Sequence, residues 1–455
     1  MESRSGSESL VASTYTSPIK PMTRGHVARI WWPLALSWVM MAAGGPIIVP
    51  MVARMPDPEI NLAALGGIVR ALTFGLESPL IMILSASTTL SKDWNSYKRL
   101  RNYTFVGIAI ITCLHAVIAL TPVYYLVTTK FLSAPSVIIQ PGRWGMMITI
   151  PYAAMVAHRR LNQGVLIRFG HTRVIALGTV IRVFSIVTVL VSIRIIGTVP
   201  GVVAGAVAMT VGVTVEAIYV ALIVRPVLHG DLRKAPSVAH PLEPLEFLRF
   251  YVPLATNSVA LLAVEPIVSA ALSRMENPVL SLAVWTPVMG FGFLLASTGF
   301  AMVEVVIALI DQPRAVTVLR HFTILITVAS GLASLAIAST SLGALWFGNV
   351  LGLDGIMLVL ARKSFWLMVP YPVLIGLQAF YQGVLTSSYQ TRRITESVGL
   401  YGLVCAVVLI LGVFWFRIAG IYFGVGAIVL ATFIQTIWMQ IRSRTALQPI
   451  EARGE

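Results

Sequence analysis

Apolar runs of about 20 residues or more recur along the whole 455-residue chain, and no other feature narrows its possible folds so far. A helix rises about 1.5 Å per residue, so about 20 apolar residues cross the roughly 30 Å hydrocarbon core of a bilayer. Twelve such runs are read, at 30–52, 60–90, 103–127, 136–158, 172–196, 199–224, 248–273, 280–310, 321–347, 361–387, 395–416 and 418–440. Only 11% of the residues are charged and the mean hydropathy is +0.85, whereas soluble domains carry about a quarter charged residues. The chain is therefore read as an all-α integral membrane protein.

The first run follows a polar, Ser/Thr-rich leader, Met1 to Gly25. At about 23 residues that run is too long for the apolar region of a cleavable signal peptide, so a retained span behind a disordered leader is expected. The net charge of +15 is one-sided. With the N-terminus cytoplasmic, 23 cations fall on the leader, the tail and alternate loops and 8 on the opposite side. The positive-inside rule then puts both termini in the cytoplasm of a multi-pass protein of the inner or plasma membrane. Orientation and contact with anionic lipid account for the basic charge, and no nucleic-acid partner is expected. Cys113 and Cys405 both fall within apolar runs, so no disulfide framework is indicated.

The chain is written twice. At an offset of 220, Pro33–Leu65 aligns with Pro253–Trp285 without a gap, with 12 of 33 positions identical. The matches include Pro46 with Pro266, Arg54 with Arg274, Met55 with Met275 and Pro58 with Pro278, which shared apolar composition would not produce. At an offset of 219, Ile150–Arg173 aligns with Val369–Arg392, keeping Pro-Tyr, Gln-Gly-Val-Leu and Thr-Arg. The duplication thus spans a whole half. Six spans per half enter the membrane in the same orientation. The expected architecture is twelve transmembrane helices as two six-helix bundles related by a pseudo-two-fold axis along the membrane normal. The division reads as a cytoplasmic leader (1–28), an N-lobe (29–225), a Pro-rich charged cytoplasmic linker (226–247), a C-lobe (248–441) and a cytoplasmic tail (442–455).

Twelve spans in two parallel repeats, a proline-bearing first helix in each half, and Gln-Gly-Val-Leu with Thr-Arg after the fourth helix together resemble the MOP flippase superfamily. WWPLAL (Trp31–Leu36) and EPIVSAALSR (Glu265–Arg274) are most similar to its MATE exporters and to the progressive ankylosis branch. The resemblance covers residues 28–440. It implies a secondary transporter of small organic substrates, acting as a monomer, with no cofactor and with H+ or Na+ as the coupling ion.

A charge at the bilayer centre costs about 3 kcal/mol or more, so intramembrane ionisable residues mark candidate function. They are Arg70, Glu77, His115, Arg182, Glu216, Glu265 and Glu304. Arg70 and Glu77, seven residues apart, share one helix face, where they either line one polar cavity or pair with neighbouring helices. Pro266 removes a backbone donor and crowds the carbonyl of Leu262, freeing an acceptor beside Glu265 that could help hold a proton or Na+. The alternative is that Glu265 caps the kink or pairs with an arginine. Its first-half counterpart is Gly45 before Pro46, so the kink is duplicated and the charge is not. The resemblance implies a coupling role for Glu265, since one MATE branch uses a glutamate in its seventh helix, with Glu77 or Glu216 as helpers. Span 10 has no acidic partner for it, and span 1 lacks the aspartate that another MATE branch protonates.

Arg70 and Arg182 point elsewhere, toward an anionic group, in line with the organic anions associated with the ankylosis branch or with the diphosphate of a lipid-linked glycan. Arg143 and Arg362, a repeat pair, read as interfacial anchors, His115 as a packed polar group, and the tryptophans as an interfacial belt. Phosphate loops, Cys/His metal sites and hydrolase triads do not stand out, so neither an enzyme nor an ATP-driven pump is indicated. The leading reading is MATE-like export with Pro46 and Pro266 at gating helices. The runners-up are an ankylosis-type anion exporter and a lipid-linked polysaccharide flippase, and a non-transporting scaffold is a further alternative.

Overall fold

The computed structural model describes residues 22–171, 173–238, 242–312, 314–388, 390–415 and 418–451. The leader up to residue 21, Thr172 and Arg417 lie outside the described residues, and so does any test of the leader's disorder. Among the described residues, eleven helices are long and apolar enough to cross a membrane. With the labels used below, they are α1 (Arg24–Ala53), α2 (Pro58–Leu90), α3 (Trp94–Leu120), α5 (Arg173–Ile196), α6 (Gly201–Leu232), α7 (Pro244–Leu272), α8 (Pro278–Leu309), α9 (Ala315–Ser339), α10 (Gly355–Ser387), α11 (Thr391–Trp415) and α12 (Gly420–Glu451).

The expected span at 136–158 is α4, which does not qualify. It is broken into Ser136–Ile148 and Tyr152–Arg168, and its second piece carries His158, Arg159, Arg160, Asn162, Gln163 and Arg168. Its repeat partner α10 has the same break, between Met368 and Tyr371, but a more apolar second piece. The helical end of α6 also runs past the expected start of the linker, to Leu232, and α7 begins at Pro244. Phe184, Ile195 and Phe414 are 72%, 81% and 80% exposed, on faces that only lipid would cover favourably. The chain is a multi-pass integral membrane protein.

Proline sets the same fault in α1 and α7. It cannot donate to the carbonyl four residues back. The break falls at Ala43 and Ala263, each three residues before its proline, with nearly the same backbone angles (φ −65°, ψ −16° and φ −63°, ψ −17°). At the starts of α2 and α8, Asp57 (φ 50°) and Asn277 (φ 52°) precede Pro58 and Pro278. Asp and Asn are the side chains that tolerate this left-handed geometry best, and proline suits the first helical position.

Between membrane helices, small residues let backbones approach. The glycine of each Gln-Gly-Val-Leu motif does this. A methyl at Gly164 would collide with Ser87 and the Leu84 carbonyl of α2, and one at Gly383 with Val306 of α8. The two halves cross at Gly66 and Gly67 of α2, which face Thr286 and Leu282 of α8, while the Ser269 hydroxyl donates to the Gly67 carbonyl at 2.5 Å. Trp31 and Trp38 of α1 donate to the Thr298 carbonyl (3.0 Å) and the Glu304 carboxylate (3.4 Å) of α8. These two rings thus join helices. Arg143 likewise closes the end of α3, donating to the carbonyls of Ala119 and Leu120 and to the Tyr125 hydroxyl.

Candidate functional site

The kinks of α1 and α7 border a central cavity of about 420 Å³ whose walls come from both halves. The first half contributes Gly45, Ile48, Arg70, Phe74, Tyr152 and Arg182. The second contributes Glu265, Trp285, Met289, Phe293, Tyr371 and Tyr401. The lining is mostly apolar and aromatic, with three acidic or basic side chains, Arg70, Arg182 and Glu265.

Each of these three has a different environment. Arg182 is held 3.7 Å from the carboxylate of Glu216, which is 1% exposed and sits behind the cavity wall. Glu216 also accepts from Arg159 of α4, in a close ion pair, and from the Gln163 amide at 3.4 Å. A carboxylate buried this deeply needs such partners, because a buried unpaired charge costs several kcal/mol. Glu265 accepts from the indole N–H of Trp285 at 3.3 Å, and Tyr371 and Tyr401 share the lining with it.

Arg70 has neither arrangement. Its guanidinium lies 5.1 Å over the ring of Phe74, and its Nε is buried without a hydrogen-bond partner. No carboxylate or carbonyl is bonded to it among the described residues. Glu77, the expected companion of Arg70, is 7% exposed and not part of the cavity lining; it faces the charges of Arg159 and Arg160 on α4.

Arg70 and Glu77 are joined by regular α-helix, Ala71–Glu77, and stand about 10 Å apart along it, so Arg70 reaches the cavity and Glu77 lies beyond its lining. Residues Leu65–Arg70 form a π segment within α2, whereas α8 is continuous α-helix over Pro278–Phe300. A π turn holds one more residue than an α turn and rotates the rest of the helix beyond it. Leu65 and Trp285 both line the cavity at an offset of 220, and Phe74 and Phe293 both line it at an offset of 219. The first half therefore gains its extra residue within this stretch, and Arg70 ends it. The positions that correspond in the second half are Met289 and Gly290, both uncharged and both lining the cavity.

The expected residues Gly45, Arg70, Arg182 and Glu265 are brought together at the cavity, and Pro46 and Pro266 lie directly beside it. Glu77 and Glu216 stay outside the lining. Sequence reasoning missed Tyr152 and Tyr371, although the duplicated Pro-Tyr pair was visible. It also missed Trp285 and Phe293, which no motif distinguishes.

Two further arginines bind across the halves. Arg54, at the end of α1, donates to the carbonyls of Asn349 (2.6 Å) and Val350 (3.1 Å). Arg274, its repeat partner at the end of α7, donates to those of Phe131 (2.9 Å), Lys130 (3.2 Å) and Leu132 (3.4 Å). In each case the acceptors come from or directly follow a short π turn, Val127–Phe131 or Leu345–Val350, whose ladder leaves carbonyls to be satisfied.

No family model matches the chain, and no curated protein matches it in sequence. Its fold is similar to an inward-facing conformation of a multidrug resistance MATE family transporter of the MOP superfamily, with TM-score 0.65 and 13% identity, covering 92% of this chain and 99% of that one. The eukaryotic MATE transporter AtDTX14 is similar with TM-score 0.62 and 13% identity, covering 95% of this chain and all (100%) of that one. The lipid II flippase MurJ in an inward closed conformation gives TM-score 0.60 and 12% identity, covering 93% of this chain and 90% of that one. The chain therefore has the fold of the MATE transporters of the MOP superfamily.

Proposed function

We propose that the chain is a secondary active transporter that works by alternating access and exports small organic molecules, coupled to H+ or Na+. The observation that carries the reading is the cavity, where both copies of the duplication meet around two kinked helices. A mostly apolar enclosure with a few placed polar groups is the general form of a small-molecule site. The same proposal takes α4 as a twelfth crossing, because its repeat partner α10 is apolar enough to span. It takes 29–225 and 248–441 as two six-helix bundles about a pseudo-two-fold axis along the membrane normal, joined by the linker 226–247. Both termini are then cytoplasmic, and the protein acts as a monomer in the inner or plasma membrane.

With that orientation, Arg54 and Arg274 lie at the outer face, and their paired clasps hold the outer end of the cavity shut. Rocking of the halves breaks the clasps and bends α1 and α7 at Ala43 and Ala263, opening the other side. Coupling is assigned to Glu265, with the carbonyl of Leu262 freed by Pro266 beside it. An anion-exporting variant of the reading is favoured by the unpartnered Arg70.

Uptake of organic probes into proteoliposomes containing the full chain tests the reading. The wild type is expected to move a probe with a dependence on pH or Na+, and Glu265→Gln to abolish that dependence. An unchanged dependence would remove Glu265 from coupling, and no movement of any probe would overturn the transporter reading.

A further inference from the structure

We propose that Arg70 is the anchor for an acidic group, a carboxylate or a phosphate, on a substrate whose apolar body fills the cavity; this rests on the transporter reading and names the substrate class. Three observations converge on it. The first is the sorting of charges. Arg182 and Arg159 have Glu216, and Glu265 has Trp285, while Arg70 has only the face of Phe74 and a buried Nε with no acceptor. A guanidinium offers five N–H donors in a planar fork that matches the oxygens of a carboxylate or phosphate. A fork turned into a cavity without an acceptor is set to receive one from outside the protein.

The second observation is the backbone. The extra residue of the π segment Leu65–Arg70 breaks the register of the duplication at the one place where it sets this arginine on the cavity wall. A π turn is less favourable than the α turn that α8 keeps, and such turns concentrate at functional sites. Gly45 of α1 lies beside it, with the Arg70 guanidinium 3.9 Å from where a methyl on that glycine would sit, an ordinary contact.

The third is the field. Among the described residues, Arg70 and Arg182 on the cavity wall and Arg159 and Arg160 behind it have Glu77 and Glu216 as their acidic neighbours, an excess of two positive charges if all are ionised. That excess attracts anions and repels simple organic cations. In the same lining, Met41, Ile48, Met289 and Phe293 offer apolar cover for the rest of the molecule.

The acid group could arrive on a free organic acid from water or on a lipid phosphate from the bilayer, and the experiment separates the two. Calorimetric titration of the purified full chain uses 2-naphthoate, the matched amine 2-naphthylmethylamine, and short-chain phosphatidic acid. The wild type is expected to bind 2-naphthoate more tightly than the amine. Arg70→Gln is expected to weaken an acid by about tenfold or more, the usual worth of a charge-assisted bond, with Arg70→Lys weakening it less. Arg70-dependent binding of 2-naphthoate alone identifies a free acid; stronger Arg70-dependent binding of phosphatidic acid identifies the lipid source. Should Arg70→Gln fail to fold, competition on the wild type replaces it, and inorganic phosphate is expected to displace 2-naphthoate.

Preference for the amine overturns the proposal. So does binding of both acids within about twofold of wild type in Arg70→Gln, or no displacement by phosphate in the fallback. The two readings fail separately. Arg70-dependent binding with no passage into proteoliposomes sinks transport and leaves the anion site. Uptake of the amine without Arg70-dependent binding of either acid sinks the site and leaves transport.

Discussion

The two halves share a scaffold and differ in chemistry. The proline break, the left-handed Asp/Asn before a proline, the motif glycine and the cross-half arginine recur at matching positions. The acidic and basic groups at the cavity do not. The first half has Gly45 and Arg70 where the second has Glu265 and Met289 or Gly290, so one wall is basic and the other carries a single carboxylate. A duplicated frame suits symmetric motion about a centre, and unequal walls give that motion a substrate orientation and a coupling group.

The comparison can be attacked at three places. The largest effect is expected at Glu216, which belongs to the first half alone. Glu216→Gln leaves Arg159 and Arg182 buried without a counter-charge and should cost about 3–5 kcal/mol, read as thermal stability in detergent. A loss under about 1 kcal/mol would mean that water or lipid already neutralises these arginines. Next is the duplicated clasp. Arg54→Ala and Arg274→Ala should each cost about 1–2 kcal/mol, and the double variant their sum, because the acceptors lie on separate loops. Each should also raise labelling of a cysteine placed at Met289 by an impermeant reagent added outside.

A smaller asymmetry lies in the connections after the π turns. Ser133 holds φ 50° where the second half has Gly352 at φ 77°. Ser133→Gly should be neutral or stabilising by up to about 1 kcal/mol, while Gly352→Ala should cost about 1–2 kcal/mol. The added methyl would also press on the Arg54 guanidinium, 2.9 Å away. Equal responses from the two would show that the backbone there relaxes freely.

Much of the frame was legible because its causes are local. The proline shared by the two halves breaks its helix at the same point in each, and apolar length alone marks a span. Residues in one half that must match the other, such as Pro46 and Pro266, announced themselves by repetition. The site was legible only in part, because pairing across helices leaves no trace in spacing. Nothing along the chain ties Glu216 to Arg159 and Arg182, or shows that this leaves Arg70 without a partner. The seven-residue spacing of Arg70 and Glu77 gives a shared face but not which of the two reaches the cavity, since they stand about 10 Å apart along the helix. The π segment that ends at Arg70 was present as a one-residue change in repeat offset, and only the backbone shows where the residue was gained. Tyr152 and Tyr371 were hidden for another reason, since a pair repeated within one chain can serve packing or a cavity equally well.

The central claim is that a symmetric frame carries an asymmetric site in which Arg70 holds the substrate and Glu265 couples its movement. It is tested most directly by 2-naphthoate uptake into proteoliposomes under an imposed pH or Na+ gradient, with wild type, Arg70→Gln and Glu265→Gln side by side. The account predicts gradient-dependent uptake by the wild type, about a tenfold or greater rise in KM for Arg70→Gln, and uptake indifferent to the gradient for Glu265→Gln. Wild-type kinetics in both variants, with full gradient dependence, would contradict it.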